Sequence, residues 1–214
     1  MAVAAPDFPP EFRDRFAALL RWRRDVRRFR RDPLPPGLLD RLLDLACLAP
    51  SVGNSQPWRF VLVEDEVRRA AVRAVFSRCN TDAASGYEGE RAAHYRRLKL
   101  AGLEEAPVQL AVFCDRSTGQ GHGLGRRTMP ETLDHSAVTA IHTLWLAARI
   151  EGVGLGWVSI LEPEAVAALL DVPPDWHLVG YLCLGFPESE ESVPELEREG
   201  WQSRLGACRT VLRR

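Results

Sequence analysis

One lysine, Lys99, stands against 27 arginines in this chain of 214 residues. Codon usage in a GC-rich genome accounts for such an excess, so the bias alone carries no function. Long hydrophobic runs are missing as well. No stretch reaches the ~18 consecutive apolar residues that a bilayer-crossing helix needs, and residues 1–10 lack the basic-then-apolar order of a secretory leader. The expectation is a cytoplasmic protein that makes no membrane contact. Cysteine is sparse: Cys47, Cys79, Cys114, Cys183 and Cys208 are widely spaced and form no Cys-x-x-Cys pair, which excludes a zinc ribbon, a dithiol centre and a disulfide scaffold. They read as small buried hydrophobes. His135 and His142 share a helix without a third ligand at metal-site spacing, so no metal is expected. Net charge is close to absent, −1 from 28 basic and 29 acidic residues, which excludes a surface that is one electrostatic footprint for nucleic acid.

What is present is an ordinary globular composition, 46 % hydrophobic and 27 % charged, long enough for a large core and expected to form one domain over residues 1–214. Apolar spacing predicts helices over Phe12–Trp22 and from Leu38 to Pro50, then a loop at Ser51–Pro57 and a strand at Trp58–Val63. Glu66–Arg78 and Tyr87–Glu105 read as helices around a loose stretch, Thr81–Gly89, so residues of about 79–105 are expected to form a mobile lid. A strand at Val108–Cys114 precedes a flexible loop of about residues 116–131, spaced by Gly119, Gly121, Gly123 and Gly125. A very apolar helix follows, with Asp134 as its expected cap, then strands at Leu155–Ile160 and Leu178–Leu184 around a short helix and a polar, irregular tail. Strands alternating with helical blocks predict a layered α/β or α+β domain.

Three segments stand out chemically. Seven of the arginines fall within Arg21–Arg31, and guanidinium groups gathered at a helix end can converge on one phosphate. A solvated basic face is the plain alternative; nucleic acid is a third, disfavoured by the acidic remainder and the absence of interleaved aromatics. Asp25 among these arginines would be ion-paired and ionised. Ser51-Val52-Gly53-Asn54-Ser55-Gln56-Pro57 is dense in hydrogen-bonding side chains suited to polyol hydroxyls or a heteroaromatic edge. Gly152-Val-Gly154-Leu-Gly156-Trp157 superficially matches a dinucleotide fingerprint, but here a helix precedes the glycines and a strand follows, the reverse of that motif. The glycines at 119–125 lack the Gly-Lys-Ser/Thr ending of a P-loop.

In this order, Arg23-Arg24-x-Val26-Arg27, Pro50-Ser-x-Gly-Asn-x-Gln-Pro-Trp58 and Gly-x-Gly-x-Gly-Trp157 resemble the flavin-binding pattern of the nitroreductase family, from about Leu19 to Arg204. The resemblance implies an α+β fold with a central, mostly antiparallel sheet flanked by helices, in an intertwined homodimer that holds FMN at its interface. It carries cofactor contacts onto Arg23, Arg24, Asp25, Val26 and Arg27, with Arg23, Arg27 and Arg204 at the phosphate. Ser51, Gly53, Asn54 and Gln56 would face the ribityl chain or ring, Lys99 would belong to the closing lid, and Trp157, Val158 and Ser159 would lie along the flavin edge near N5.

Asp25, where ordinary nitroreductases usually have Ser, together with Gly-Trp157-Val-Ser159-Ile, Tyr95-Arg-Arg-Leu-Lys99-Leu and Leu144-Trp-Leu-Ala-Ala-Arg149, is similar to one branch of that family. Members of the branch use O2 to break reduced FMN into 5,6-dimethylbenzimidazole, the lower ligand of vitamin B12, and erythrose 4-phosphate. The resemblance implies that Asp25 is the base removing a proton from the sugar carbon, that Ser159 donates a hydrogen bond beside the reacting ring, and that a separate NAD(P)H flavin reductase supplies the reduced FMN. Asn54-Ser55 follows the general family form of the loop rather than the bulkier form of the branch. The other readings are an NAD(P)H-dependent FMN nitroreductase or dehalogenase-like reductase, and a noncatalytic flavin-binding protein.

Overall fold

Four strands form the centre of the fold because their apolar residues have somewhere to go on both faces. The computed structural model describes residues 5–206 and 208–214. Strands β1 (Trp58–Leu62), β2 (Val108–Asp115), β3 (Gly154–Val158) and β4 (Trp176–Gly185) pair in the order β1-β2-β4-β3, every pair antiparallel. Successive side chains on β2 and β4 point to opposite faces. Ala111, Phe113, Tyr181 and Cys183 pack on one side with Phe29, Val72 and Val166, whereas Leu110, Val112, Leu182 and Leu184 pack on the other with Leu42, Ile141 and Leu144. A sheet covered twice explains why these strands read as continuous hydrophobic runs rather than alternating ones. The two polar groups buried between strands satisfy each other: Tyr181 donates to Gln109 Oε1 at 2.7 Å, and Gln109 Nε2 donates to the Leu103 carbonyl at 2.9 Å.

Helices α2 (Leu38–Ala46) and α5 (Thr132–Ile150) cover the second face; α3 (Glu66–Ser85), α4 (Gly89–Arg97) and α6 (Pro163–Leu169) lie on the first face or beside it. Helix α1 (Pro10–Trp22) buries no residue, and Phe12, Phe16 and Leu20 remain exposed along it. A short α7 (Glu195–Arg198) lies in the tail, where the sequence suggested only irregular chain.

Several boundaries differ from the sequence expectation for identifiable reasons. Helix α3 continues through the stretch that looked loose, where Thr81 and Ser85 donate their hydroxyls to the Ser77 and Asp82 carbonyls and Asn80 ties the helix to α4 by accepting from the Tyr95 hydroxyl at 2.8 Å. Helix α4 ends at Arg97, well before Glu105, since the chain must turn inward there to bury Leu103 and Ala106. Gly102 marks that inward path: a Cβ on it would sit 2.3 Å from the Phe29 ring. Asp134 does not cap α5, which starts at Thr132; its carboxylate instead receives Arg116 Nη2 at 2.7 Å. Of the cysteines, Cys114 and Cys183 are buried, but Cys47 and Cys208 are exposed and Cys79 is intermediate, so the reading of all five as buried hydrophobes is corrected. Burial pushes both buried thiols up to about 12, which leaves them protonated and unreactive. Among the described residues no helix is long and apolar enough to cross a membrane, and no group of three or more His, Cys, Asp or Glu is placed to hold a metal ion.

Candidate functional site

The arginine segment does not continue α1. Arg23 takes an extended backbone, and the chain runs beside β3 as a short parallel edge: Asp25 bridges Leu155, and the Val26 N–H donates to the Leu155 carbonyl at 3.0 Å. This pairing explains the glycine run that resembled a nucleotide fingerprint. A Cβ on Gly154 would lie 2.8 Å from Val26 Cγ2, and one on Gly156 would lie 2.1 Å from the Val26 carbonyl oxygen. The glycines admit a neighbouring backbone, which any side chain there would exclude.

Asp25 is the hub of this seam. Its Oδ1 accepts the Trp157 backbone N–H at 2.9 Å, and its Oδ2 receives Arg27 Nε at 3.0 Å. Arg27 Nη1 then donates to the Lys99 carbonyl at 3.2 Å, and Lys99 Nζ holds both oxygens of Glu105 at 2.9 and 3.0 Å. A single chain of contacts thus links the arginine segment, the end of β3 and the segment following α4. Arg27 is turned toward Asp25 within it, and the Lys99 ammonium is paired. Trp157 is half-buried, its indole lying over Gly180, where a Cβ would come within 2.4 Å of Nε1. Val158 is buried, and Ser159, one residue past the strand, is exposed.

Beside the seam the positive charge is concentrated. Burial, and then the neighbouring guanidinium groups of Arg23, Arg204 and Arg149, hold the Arg24 pKa below the usual arginine value. Arg24 donates through Nη1 to the Arg23 carbonyl at 2.6 Å and bonds the Ser192 carbonyl, while its buried Nε has no hydrogen-bond partner. Trp145 secures the turn: its Nε1 donates to the Arg24 carbonyl at 3.0 Å, and the Arg23 guanidinium lies 4.7 Å above its ring. The pocket lined by Arg23, Arg24, Trp145 and Arg149, with Glu190, Glu191 and Glu195 at its wall and Glu190 paired with Arg149 at 2.6 Å, is about 50 Å³, room for one small polar group rather than a tricyclic ring. Arginines that repel one another, of which Arg149 is already paired with Glu190 and Arg24 keeps an unused buried N–H, match an anion such as a phosphate monoester. Arg149, at the end of α5, was not among the expected site residues; an arginine closing a long apolar helix is the signal that could have found it.

The polar loop lies elsewhere. Ser51 Oγ accepts the Gln56 N–H at 3.0 Å, and Gln56 Nε2 donates to Asn54 Oδ1 at 3.0 Å. Gly53, Asn54 and Gln56 have φ of 57°, 55° and 44°, all left-handed. Asn54 and Gln56 are exposed, whereas Ser55 is buried with its hydroxyl unpartnered. The loop rests on the N-terminal half of α5 through Ser136, and Arg149 stands at the other end, roughly 20 Å away by helical rise. Within one chain, therefore, the structure gathers Arg23, Arg24, Asp25, Val26, Arg27, Lys99, Trp157 and Arg204 in one region and leaves Ser51, Gly53, Asn54 and Gln56 in another.

Residues 20–186 match the model of the nitroreductase family. The chain is 60 % identical over 199 residues to a 5,6-dimethylbenzimidazole synthase of Rhodospirillum rubrum, covering 93 % of this chain and 94 % of that one. It is 51 % identical to a protein of the same name from Rhodobacter capsulatus, covering 93 % and 96 %. Among solved structures, an iodotyrosine deiodinase bound to FMN and 3-iodo-L-tyrosine superposes with a TM-score of 0.70 at 26 % identity, over 92 % of this chain and 97 % of that one. A BluB-like flavoprotein from Clostridium difficile 630 shares the fold, with a TM-score of 0.64 at 20 % identity over 81 % and 90 %. With an antiparallel sheet covered on both faces, an arginine seam along its β3 edge and a family match over most of its length, the chain belongs to the nitroreductase family.

Proposed function

We propose that this protein is a 5,6-dimethylbenzimidazole synthase, an oxygen-dependent enzyme whose substrate is reduced FMN. The observation that carries this reading is the 60 % identity to a synthase across nearly the full length of both chains; no comparable likeness favours a reductase, a dehalogenase or a noncatalytic flavin carrier. The reduced isoalloxazine supplies the electrons that O2 accepts. Arg23, Arg24 and Arg204, with Arg149 beside them, supply the charge for its phosphate. Arg27, bonded to Asp25, holds that carboxylate in place and reaches the phosphate side only through its remaining N–H groups. Asp25 has lone pairs beyond the two that Trp157 and Arg27 occupy, and one of them takes the proton from the ribityl carbon that is drawn into the ring system. Ser159 presents an exposed hydroxyl two residues beyond Trp157, able to donate to a flavin nitrogen or a reacting oxygen.

Two copies make the complete site. Supporting this are the small size of the arginine pocket, the separation of Asn54 and Gln56 from it along α5, and the exposed apolar stripe of Phe12, Phe16 and Leu20 on a helix that buries nothing. The ring would lie between protomers, with the polar loop of one facing the arginines of the other, and residues of about 79–105 would close over it. Reduced FMN would come from a separate NAD(P)H flavin reductase. The deciding experiment mixes the purified protein with chemically reduced FMN and air, without nicotinamide, and separates the products by chromatography. Dimethylbenzimidazole in proportion to the FMN lost is the expected result. Quantitative return of oxidised FMN overturns the proposal.

A further inference from the structure

The glycine-spaced segment before α5 packs closely against the polar loop. Gly121 has φ of 78°, and a Cβ there would lie 2.4 Å from the Gly53 carbonyl oxygen. In return a Cβ on Gly53 would lie 2.8 Å from the Leu124 carbonyl oxygen, and one on Gly125 would lie 2.6 Å from Val52 Cγ2. Gly53 and Gly121 let the two backbones interlock at a distance no side chain tolerates, and Gly125 makes room for the Val52 side chain.

Helix α5 contacts the same loop through two hydroxyls. Ser136, 4 % exposed, accepts the Val52 N–H at 3.0 Å while donating to the Thr132 carbonyl at 2.6 Å. The Thr139 hydroxyl lies 2.8 Å from the Pro50 carbonyl oxygen and 2.7 Å from the Ser136 carbonyl oxygen, so its one hydrogen is shared between the loop and its own helix. Just beyond these contacts Asn54 and Gln56 both have a left-handed backbone, which Asn tolerates and which is uncommon for Gln. We propose that Thr139 and Gly121 are positioning residues which clamp residues 50–56 and thereby set the direction in which Asn54 and Gln56 present their amides to the flavin. This inference rests on the reading that those two amides meet FMN. It adds that their geometry is imposed by α5 and the glycine turn before any ligand arrives, a preorganisation that spares the substrate the cost of ordering the loop.

The test uses the full-length protein and three variants, Thr139→Val, Thr139→Ser and Gly121→Ala. Valine keeps the shape of threonine without its hydroxyl; serine keeps the hydroxyl. Three quantities are read: the affinity for oxidised FMN, the visible circular dichroism of bound FMN, and the dimethylbenzimidazole formed per reduced FMN consumed in air. Thr139→Val is expected to weaken FMN binding roughly 3- to 10-fold, the value of one hydrogen bond, to change the flavin dichroism and to divert reduced FMN toward plain reoxidation. Thr139→Ser should restore all three, and Gly121→Ala should repeat the valine phenotype more severely. If Thr139→Val leaves affinity and dichroism at wild-type values, or if serine fails to restore them, the positioning role is wrong. A wild-type protein that binds FMN but forms no dimethylbenzimidazole would instead overturn the proposed reaction, while the affinity and dichroism arms would still decide the clamp.

Discussion

The Asp25 carboxylate accepts the backbone N–H of Trp157 at 2.9 Å across 132 residues of sequence, and with its other oxygen it holds Arg27 at 3.0 Å. One side chain thus fastens the arginine segment to the end of β3 and remains able to accept a proton. Asp25→Asn should separate these roles. Asparagine keeps one acceptor for Trp157 but faces Arg27 with no charge, so stability should fall by about 1 kcal/mol or less. FMN affinity should stay within a few-fold of wild type, and dimethylbenzimidazole should disappear in single-turnover assays. Unchanged product yield would remove Asp25 as the base.

The close approach of Val26 to Gly156 makes a sharper test of the seam. Gly156→Ala would place a methyl group 2.1 Å from the Val26 carbonyl oxygen, so either the arginine segment or β3 must shift. A loss of about 2 kcal/mol or more in urea unfolding is expected, in the range of overpacked cores, together with weak FMN binding. Gly119→Ala serves as the control, because a Cβ there meets nothing within 4 Å, and its effect should stay within ~0.5 kcal/mol.

Arg24, crowded by Arg23, Arg204 and Arg149 and with its Nε unused, should be more important for the phosphate than for the ring. Arg24→Met is expected to weaken FMN binding by roughly 10- to 150-fold while changing riboflavin binding little, the scale of one or two charge-assisted hydrogen bonds. Inorganic phosphate should raise the melting temperature of the wild-type protein by mass action, and the variant should lose most of that rise. Equal losses for FMN and riboflavin in titration calorimetry would refute the assignment.

Asp134 predicts the acid behaviour of the fold. Burial tends to raise its pKa, but the Arg116 guanidinium, helped by His177 and the Cys114 thiol, prevails and holds it below the usual aspartate value. A pKa depressed on folding contributes stability above the unfolded value of about 3.9 and loses it as pH falls through the folded value. Asp134→Asn should therefore be less stable than wild type at pH 7, by about 1 kcal/mol or less since Arg116 is half exposed, and the gap should close below about pH 4. Urea unfolding across that range measures it; a gap that persists at low pH would mean the ion pair is not its source.

Much of the site was legible because its chemistry is local in sequence. Seven arginines around one aspartate point to an anion site or a solvated basic face, and the density of Ser, Asn and Gln before β1 points to a polar loop, whatever the fold. The apolar strands and α5 were equally plain, since a sheet covered on both faces leaves uninterrupted hydrophobic runs. Helix ends were not: α3 runs on through the stretch that looked loose, and α4 stops where Leu103 must reach the core. The role of the glycines was not legible: Gly154 and Gly156, like Gly121 and Gly125, each admit another segment's atoms at close range, which their spacing in sequence does not reveal.

Composition and short-range pattern determined by themselves that this is a globular protein of layered helices and strands with an arginine cluster and a polar loop, because charge, hydrogen-bonding capacity and hydrophobic period belong to the residues themselves. Only the tertiary structure decided that Arg24 and Arg149 crowd together, that Arg27 turns to Asp25, and that the polar loop sits at the far end of α5, in contact with that helix and with a glycine turn. Those relationships depend on which backbones approach one another across long stretches of chain, and close approach is a property of the packed molecule that no local pattern encodes.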